Sequence, residues 1–541
     1  MKTSHSSNSL AGTLTGRPII VQKYGGTSVG SGERLLEVAA IVKNTVVRNR
    51  LIVVLSAMSK QVKSEGTTSR LLAALNDALQ EDTKQKRFLG YMAAIERDHI
   101  IAIRKAIRSP QLGDEAERLI LTECSRIREF LSAAQVIGEL APKSRDVVIS
   151  TGEKLSAILF TYTLRDQGVD AFYVNLENII EANRFDAKAI DQSFYDYIAV
   201  RLQERLGDFG DRVPVLTGFF GPIPGSMLET IGRGYTDLAA ALAAVGTSAC
   251  ELQIWKEVDG IFTADPRKVP KAKLLERITP EEAAELSYYG SEVIHPFTMD
   301  QVIDKRIPIR ILNTFNPSGR GTLIEPREEE NDRDDESDMS RSVSIIKEES
   351  PEEFWTQLPD RPTYPPTAIT MKEGIIVVSV RSNRKNVSHE FMSQVFAVLN
   401  KHGIVSDLVS TSEINVSIAI YFGSQSQDDD ALMVKLGPAV QELGKLGSVA
   451  IVPDRAIISL VGKAMKHTVG ISGMVFSILG RNHINVEMIS QGYPETNISV
   501  VVKCSKAAKA LQVIHDHCIL LDGHPSKYSN PSLPSFSPAP F

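Results

Sequence analysis

The sequence predicts an α/β chain: a large three-layer domain on a mostly parallel sheet, followed by two small α+β units. Three observations carry this reading. From Pro18 to Leu323, strand-like apolar runs alternate with helical stretches, the pattern of a parallel sheet covered on both faces. From Ile324 to Arg361 that alternation gives way to an acidic stretch with few apolar residues. After Pro366 a β-α-β-β-α pattern occurs twice. With 541 residues the chain exceeds the roughly 250–300 that one core supports, so several domains are expected.

The elements of the first domain follow in order. Pro18–Lys23 reads as a buried strand. Glu33–Arg48 reads as a helix, with Ser31 as its cap. Leu51–Ala57, Val147–Ser150, Ala171–Leu176, Val213–Gly218, Leu252–Val258 and Ile307–Leu312 read as further strands. Glu153–Gln167 and Thr236–Val245 read as helices, and Arg70–Leu140 as a helical excursion. In the second half, Phe396–Ile404 resembles Phe476–Ile484. Each is followed by a strand, Asp407–Ser410 or Glu487–Ser490, and then by Asn415-Val-Ser or Asn497-Ile-Ser opening another. This is a ferredoxin-like order. The first copy closes with Ser448–Val452. The second lacks a closing strand, which Ala368–Lys372 is expected to supply. The expected domains are residues 1–17 (flexible tail), 18–324, 325–366 (acidic linker), 367–452, 453–522 and 523–541 (disordered tail).

A net charge of −6 and an isoelectric point near 6.0 give no basic face, which argues against nucleic acid and anionic membranes as partners. The four cysteines show neither C-x-x-C pairing nor zinc-ligand spacing, as expected of free thiols in a reducing compartment. No apolar run reaches the ~18 residues of a membrane span. The Ser-rich start could mimic an organelle transit peptide, but it is short and nearly free of Arg, so a cytoplasmic tail is expected.

Four segments carry chemistry. Lys23-Tyr-Gly-Gly-Thr-Ser-Val-Gly30 joins a strand to a helix. Its glycines let backbone N–H groups approach an anion, the helix N-terminus adds positive potential, and Lys23 adds a mobile charge. It matches neither of the two commonest nucleotide loops, and an ordinary glycine turn is the plain alternative. Gly232-Arg-Gly-Tyr-Thr-Asp237 precedes a helix and suits a carboxylate or phosphate; helix capping by Thr236 or Asp237 is the alternative. Ser150-Thr-Gly-Glu153, at a strand end, offers Glu153 to an ammonium group, or simply an acid in a helix's first turn. Trp255–Arg267 runs from a strand into an acidic loop, an adenine pocket or a plain structured loop. His295 is read as structural. No nucleophile–base arrangement is visible.

Together and in this order, Lys23–Ser28, Leu55-Ser-Ala-Met58, Gly66-Thr-Thr-Ser-Arg70, Ser150–Glu153, Gly232–Asp237 and Asp265-Pro-Arg267 closely resemble the aspartate kinases of the amino-acid-kinase fold. The paired repeats resemble two ACT units. The acidic insert, without a fused dehydrogenase, is more like the fungal monofunctional form. The resemblance implies ATP, with Mg²⁺ and no tightly held protein metal, phosphorylating the side-chain carboxylate of L-aspartate to 4-phospho-L-aspartate. That is the first step toward threonine and methionine. It implies feedback by threonine, a homo-oligomer formed through the ACT units, and cytoplasmic location. By the same resemblance Lys23 lies near the transferring phosphate, Asp237 orients it, and Gly25 and Gly26 approach the phosphates. Thr68, Glu153 and Arg233 hold aspartate. Ser56, Lys256, Glu257, Phe262 and Arg267 match nucleotide positions, although Lys256-Glu257 replaces the Thr-Asp of many relatives. Tyr235 stands where many bacterial relatives have Gly. For an effector, polar groups at Asn383, Ser410, Thr411, Ser412, Asn485 and Asn497 are the candidates. Glutamate 5-kinase, acetylglutamate kinase and a catalytically dead sensor are the rivals. The ACT pair and the Ser150–Glu153 segment disfavour the first two, and the intact Lys23, Glu153, Arg233 and Asp237 disfavour the third.

Overall fold

The computed structural model describes residues 16–60, 62–80, 87–181, 184–185, 190–221, 223, 226–227, 234–288, 294, 296–326, 366–382, 388–423, 429–463, 465, 468, 470–492 and 496–520. Residues 1–15 of the expected N-terminal tail, the expected C-terminal tail, most of the acidic linker, His295, Arg233 and Asn383 lie outside them. The chain divides into two compact units. The first comprises residues 1–265 and 272–348, and the second residues 266–271 and 349–541. Among the described residues no helix is long and apolar enough to cross a membrane.

The first unit begins β1 (Ile19–Tyr24), α1 (Gly32–Thr45), β2 (Arg50–Leu55), α2 (Thr67–Ala78), α3 (Phe88–Ala106), α4 (Pro110–Ile137), α5 (Pro142–Ile149) and α6 (Thr151–Asp166). It continues with β3 (Ala171–Val174), α7 (Gln192–Leu206), β4 (Val213–Thr217), α8 (Tyr235–Gly246), β5 (Glu251–Lys256), β6 (Arg277–Ile278), α9 (Pro280–Tyr288), α10 (Pro296–Ile303), β7 (Ile309–Asn313) and β8 (Thr322–Ile324). Eight strands form one sheet in the order β3-β4-β2-β1-β5-β7-β8-β6, parallel except where β7 meets β8. The order reverses direction about β1: β2 lies on one side of it and β5 on the other.

β2 and β4 are near-continuous apolar runs because both faces are covered. Ile20 and Tyr24 of β1 join Leu51, Val53 and Leu55 of β2 in a core shared with α1, α3, α4 and α6. Pleating sends the alternate residues, Val21, Lys23, Ile52 and Val54, to the other face, on which α8 packs. Ser31 caps α1, its hydroxyl accepting from the Arg34 N–H at 3.4 Å.

One expected strand is a helix. Val147–Ile149 forms the end of α5, and Ser150-Thr-Gly-Glu153 is a helix–helix junction rather than a strand end. Three consecutive apolar residues fit either period. Pro142, at the first helical turn, and the buried Asp146, which accepts from Ser226 Oγ (2.7 Å) and the Met227 N–H (2.9 Å), fix the helical choice.

The second unit holds β9 (Ala368–Ser382), α11 (Ser388–Lys401), β10 (Leu408–Thr411), β11 (Asn415–Tyr421), α12 (Asp429–Leu443), β12 (Gly447–Val461), α13 (Ile471–Arg481), β13 (Met488–Ser490), β14 (Asn497–Lys503) and α14 (Cys504–Ile514). Its antiparallel sheet runs β10-β11-β9-β12-β14-β13. The two central strands, of 15 residues each, serve both repeats. Gly447–Val452 pairs with Ser382–Val377, and Ile457–Val461 pairs with Lys372–Ala368. The register shifts between Val452 and Ile457 mark where one repeat hands over to the other.

Candidate active site

Parallel strands end at one edge of the sheet, and a reversal of strand order opens a crevice there. The sequence motifs of the first unit gather at that edge around β1. Lys23 is the penultimate residue of β1 and faces α8. Its Nζ lies 2.7 Å from Asp237 Oδ1, and the two side chains are only 9% and 12% exposed. Asp237 therefore does not cap its helix. α8 starts at Tyr235, one residue earlier than expected, with Gly234 as N-cap and no side-chain cap. Asp237 sits in the first turn, aimed at the β1 lysine.

The glycine loop after β1 is held down by backbone contacts: Ser59 N–H donates to Gly26 O at 2.9 Å, and Ser56 N–H to Tyr24 O at 3.2 Å. A Cβ on Gly26 would stand 2.2 Å from Ala57 O, a collision with fixed backbone. A Cβ on Gly25 would meet no atom of the described residues within 4 Å. Gly26 is required by the fold, whereas Gly25 borders open space. On the far side of the loop, Ser28 Oγ donates to Glu257 Oε1 at 3.0 Å, which ties the β1 loop to the end of β5.

Glu153 lies in the first turn of α6 and is 1% exposed. Gly152 lets this turn reach the strand edge, since a Cβ there would stand 2.6 Å from the Ala57 Cβ. Glu153 Oε1 accepts from Tyr235 O–H at 2.7 Å and from Ala57 N–H at 3.4 Å. Its other oxygen, Oε2, is buried with no hydrogen-bond partner among the described residues. Burial raises the pKa of this carboxyl to about 7, against the lowering effect of the Tyr235 and backbone hydrogen bonds. A buried carboxylate with one oxygen unsatisfied is a receptor for a cationic donor. Thr68 is the second residue of α2, which is anchored at the same edge by Thr67 N–H donating to Met58 O at 3.0 Å.

Thus Lys23, Gly25, Gly26, Ser56, Thr68, Glu153, Asp237 and Glu257 lie along the C-terminal ends of β1, β2 and β5 and the helix starts beside them. Lys256 ends β5 with its carbonyl accepting from Thr314 N–H at 2.9 Å, and Phe262 bridges to Leu274 in the loop beyond. Arg267 belongs to the 266–271 segment that groups with the second unit. Sequence reasoning gave Tyr235 no role. Its signal was a departure from the motif, a tyrosine where glycine is usual. Asp146 was missed as well; it anchors residues 226–227.

In the second unit, Ser410 and Thr411 end edge strand β10, while Thr411, Ser412 and Asn485 are exposed. Asn497 is buried at the start of β14. The structure adds a repeated hydroxyl pair. Ser379 Oγ lies 3.1 Å from Ser417 Oγ in one copy, and Ser459 Oγ lies 2.7 Å from Ser499 Oγ in the other. Asn415 joins the first pair, accepting from Ser379 Oγ at 3.0 Å.

Comparison with known proteins agrees with this architecture. A model of the amino acid kinase family matches residues 18–313, and an ACT domain model matches residues 458–518. The aspartokinase of Candida albicans is 44% identical over 527 residues, 95% of this chain and 92% of its own. E. coli aspartokinase III, solved with aspartate and ADP, superposes with a TM-score of 0.66 at 26% identity, covering 92% of this chain and 99% of its own. The same enzyme with lysine and aspartate gives a TM-score of 0.68 at 25% identity, covering 93% and 99%. Fold and strand-edge crevice define an amino acid kinase with a C-terminal ACT region. Within that class, the chain belongs to the aspartokinases, phosphotransferases that act on aspartate.

Proposed function

We propose that the crevice at the ends of β1, β2 and β5 binds ATP and L-aspartate and forms 4-phospho-L-aspartate. The observation that carries this reading is the presence, at one strand edge, of a buried lysine paired with Asp237 and of the buried Glu153 carboxylate, whose Oε2 has no hydrogen-bond partner among the described residues. The β-carboxylate of aspartate is ionised at pH 7, so no general base is needed. One of its oxygens attacks the γ-phosphorus, the bond to the bridging oxygen of ADP breaks, and an acyl phosphate results. What the protein must supply is alignment and positive charge against the repulsion between two anions.

In this reading Lys23 faces the transferring phosphoryl group, with Asp237 fixing its Nζ. Gly25 and Gly26 bring backbone N–H groups to the phosphates. Glu153 takes the substrate ammonium on its free oxygen, Arg233 takes the α-carboxylate, and Thr68 closes that side. Ser56, Lys256, Glu257, Phe262 and Arg267 are assigned to the nucleotide. Mg²⁺ is read as travelling on the nucleotide phosphates, where it spreads their charge. The ACT region is assigned to feedback by an end-product amino acid, threonine in the first instance, and to self-association. E. coli aspartokinase III, solved with lysine, is the precedent for an amino-acid effector. The pathway served would be that of threonine and methionine.

Lys23→Met tests the catalytic assignment. It removes the charge while keeping bulk beside Asp237, and it should lower kcat by roughly a hundredfold or more with aspartate KM little changed. Because the lysine is buried in an ion pair rather than free at a loop, some loss of stability should accompany it. A kcat within threefold of wild type would remove Lys23 from the mechanism.

A further inference from the structure

We infer that Tyr235 is a positioning residue for substrate selection: its hydroxyl clamps Glu153 Oε1 so that Oε2 is left pointing at the substrate ammonium. The inference rests on the reading of Glu153 as the ammonium receptor. Tyr235 opens α8, and it is buried. Its ring meets Phe219 edge-on, with centroids 5.6 Å apart and planes at 77°, which fixes the ring before any hydrogen bond is counted. From that seat its O–H donates to Glu153 Oε1 at 2.7 Å, across 82 residues of sequence. The other donor to that oxygen, the Ala57 N–H, is longer, at 3.4 Å.

The division of labour between the two carboxylate oxygens is the point. Oε1 is occupied by the protein, and Oε2 is buried with no hydrogen-bond partner among the described residues. A carboxylate deprived of the Tyr235 donor would rotate, share its charge over both oxygens, or hold a proton in the buried pocket, and each of these weakens its hold on an ammonium ion. Glycine at this position could not make the bond. Tyr235 and Asp237, two residues apart in the first turn of α8, thus link the amino-group side of the crevice to the Lys23–Asp237 side.

The test is Tyr235→Phe, which keeps the ring against Phe219 and deletes only the hydroxyl; circular dichroism checks the fold. Steady-state kinetics give KM for aspartate and ATP, and succinate, which has both carboxylates but no amino group, serves as a competitive inhibitor. Loss of one hydrogen bond to a charged group should raise aspartate KM roughly tenfold. ATP KM and kcat should stay within threefold, and succinate Ki should not move. Equal weakening of aspartate and succinate, or no change in either, overturns the inference. Glu153→Gln run in parallel separates the two layers. If it weakens aspartate alone while Tyr235→Phe does nothing, the ammonium reading stands and the clamp falls. If Glu153→Gln also spares aspartate, the ammonium reading itself is wrong.

Discussion

Glu153→Gln should gain stability relative to the wild type as pH rises to neutrality, while crippling aspartate binding. Burial lifts this carboxyl from 4.5 to about 7. At about 1.36 kcal/mol per pH unit, ionising it in the folded protein costs ~3 kcal/mol more than ionising it in the unfolded chain. The folded state therefore holds this proton more tightly than the unfolded state does. The wild type suffers no penalty from the group below pH 4.5. It loses stability as pH rises from 4.5 to about 7, and the loss is constant above that. Glutamine has the same shape and does not titrate. Its amide still needs partners where Oε2 has none among the described residues, so the absolute offset between the proteins is not the readout. The readout is how that offset changes with pH. Thermal unfolding of both proteins, free of ligand, at half-unit steps from pH 5 to 8.5 should show the glutamine variant gaining on the wild type up to about pH 7 and then running parallel to it. All other titrating groups are common to both and cancel. Aspartate should raise the wild-type Tm at pH 8 and leave that of the variant unmoved. A Tm difference that does not vary with pH would show that Glu153 titrates like a solvated carboxylate, and the argument from burial would be refuted.

Three further outcomes follow from the geometry. Gly25→Ala meets no atom of the described residues whereas Gly26→Ala strikes Ala57 O at 2.2 Å, so the first should fold normally yet raise ATP KM at least tenfold, and the second should lower Tm; a Gly25→Ala enzyme with normal ATP kinetics would place the phosphates elsewhere. Threonine should inhibit, and Ser412→Ala should relieve that inhibition with uninhibited kcat within twofold, because the coupling acts through a shift between conformations rather than at the crevice; titrating threonine, lysine and methionine decides the effector, and no inhibition by any of them would leave the ACT region as an assembly module. Deleting Ala368–Lys372 should strip one of the two strand partners from Ile457–Val461, leaving β14, and accelerate hydrogen exchange at the amides that face β9, although they lie far downstream; unchanged protection would show that β12 is stable without that half of β9.

Much of this architecture was legible in the sequence because its strands are buried on both faces. β2 and β4 read as near-continuous apolar runs and β1 opens with one, and the glycine loop after β1 stands out against it. The repeat was legible for a different reason. Phe396–Ile404 and Phe476–Ile484 preserve a helix and its exit, and the missing last strand of the second copy pointed back to Ala368–Lys372. Val147–Ile149 was misread because a three-residue apolar run has no period, and only the partners of Asp146 reveal that it is helical. The role of Asp237 was open for a related reason: Thr236 and Asp237 look like cap residues, yet Asp237 answers to Lys23, a residue more than two hundred positions away. The Glu153–Tyr235 bond and the Ser379–Ser417 and Ser459–Ser499 pairs were beyond reach for the same cause. Each joins residues that only the folded sheet brings together.

The central claim is that the crevice phosphorylates the side chain of aspartate, and trapping the product tests it most directly. Purified enzyme is incubated with ATP, Mg²⁺ and hydroxylamine, with L-aspartate, L-glutamate or N-acetyl-L-glutamate as the acceptor, and the hydroxamate formed from the acyl phosphate is measured. The account predicts aspartyl hydroxamate in an amount that depends on ATP and on Lys23, with glutamate and acetylglutamate at background. No aspartyl hydroxamate from folded wild-type enzyme, or faster reaction with either longer acceptor, would contradict it.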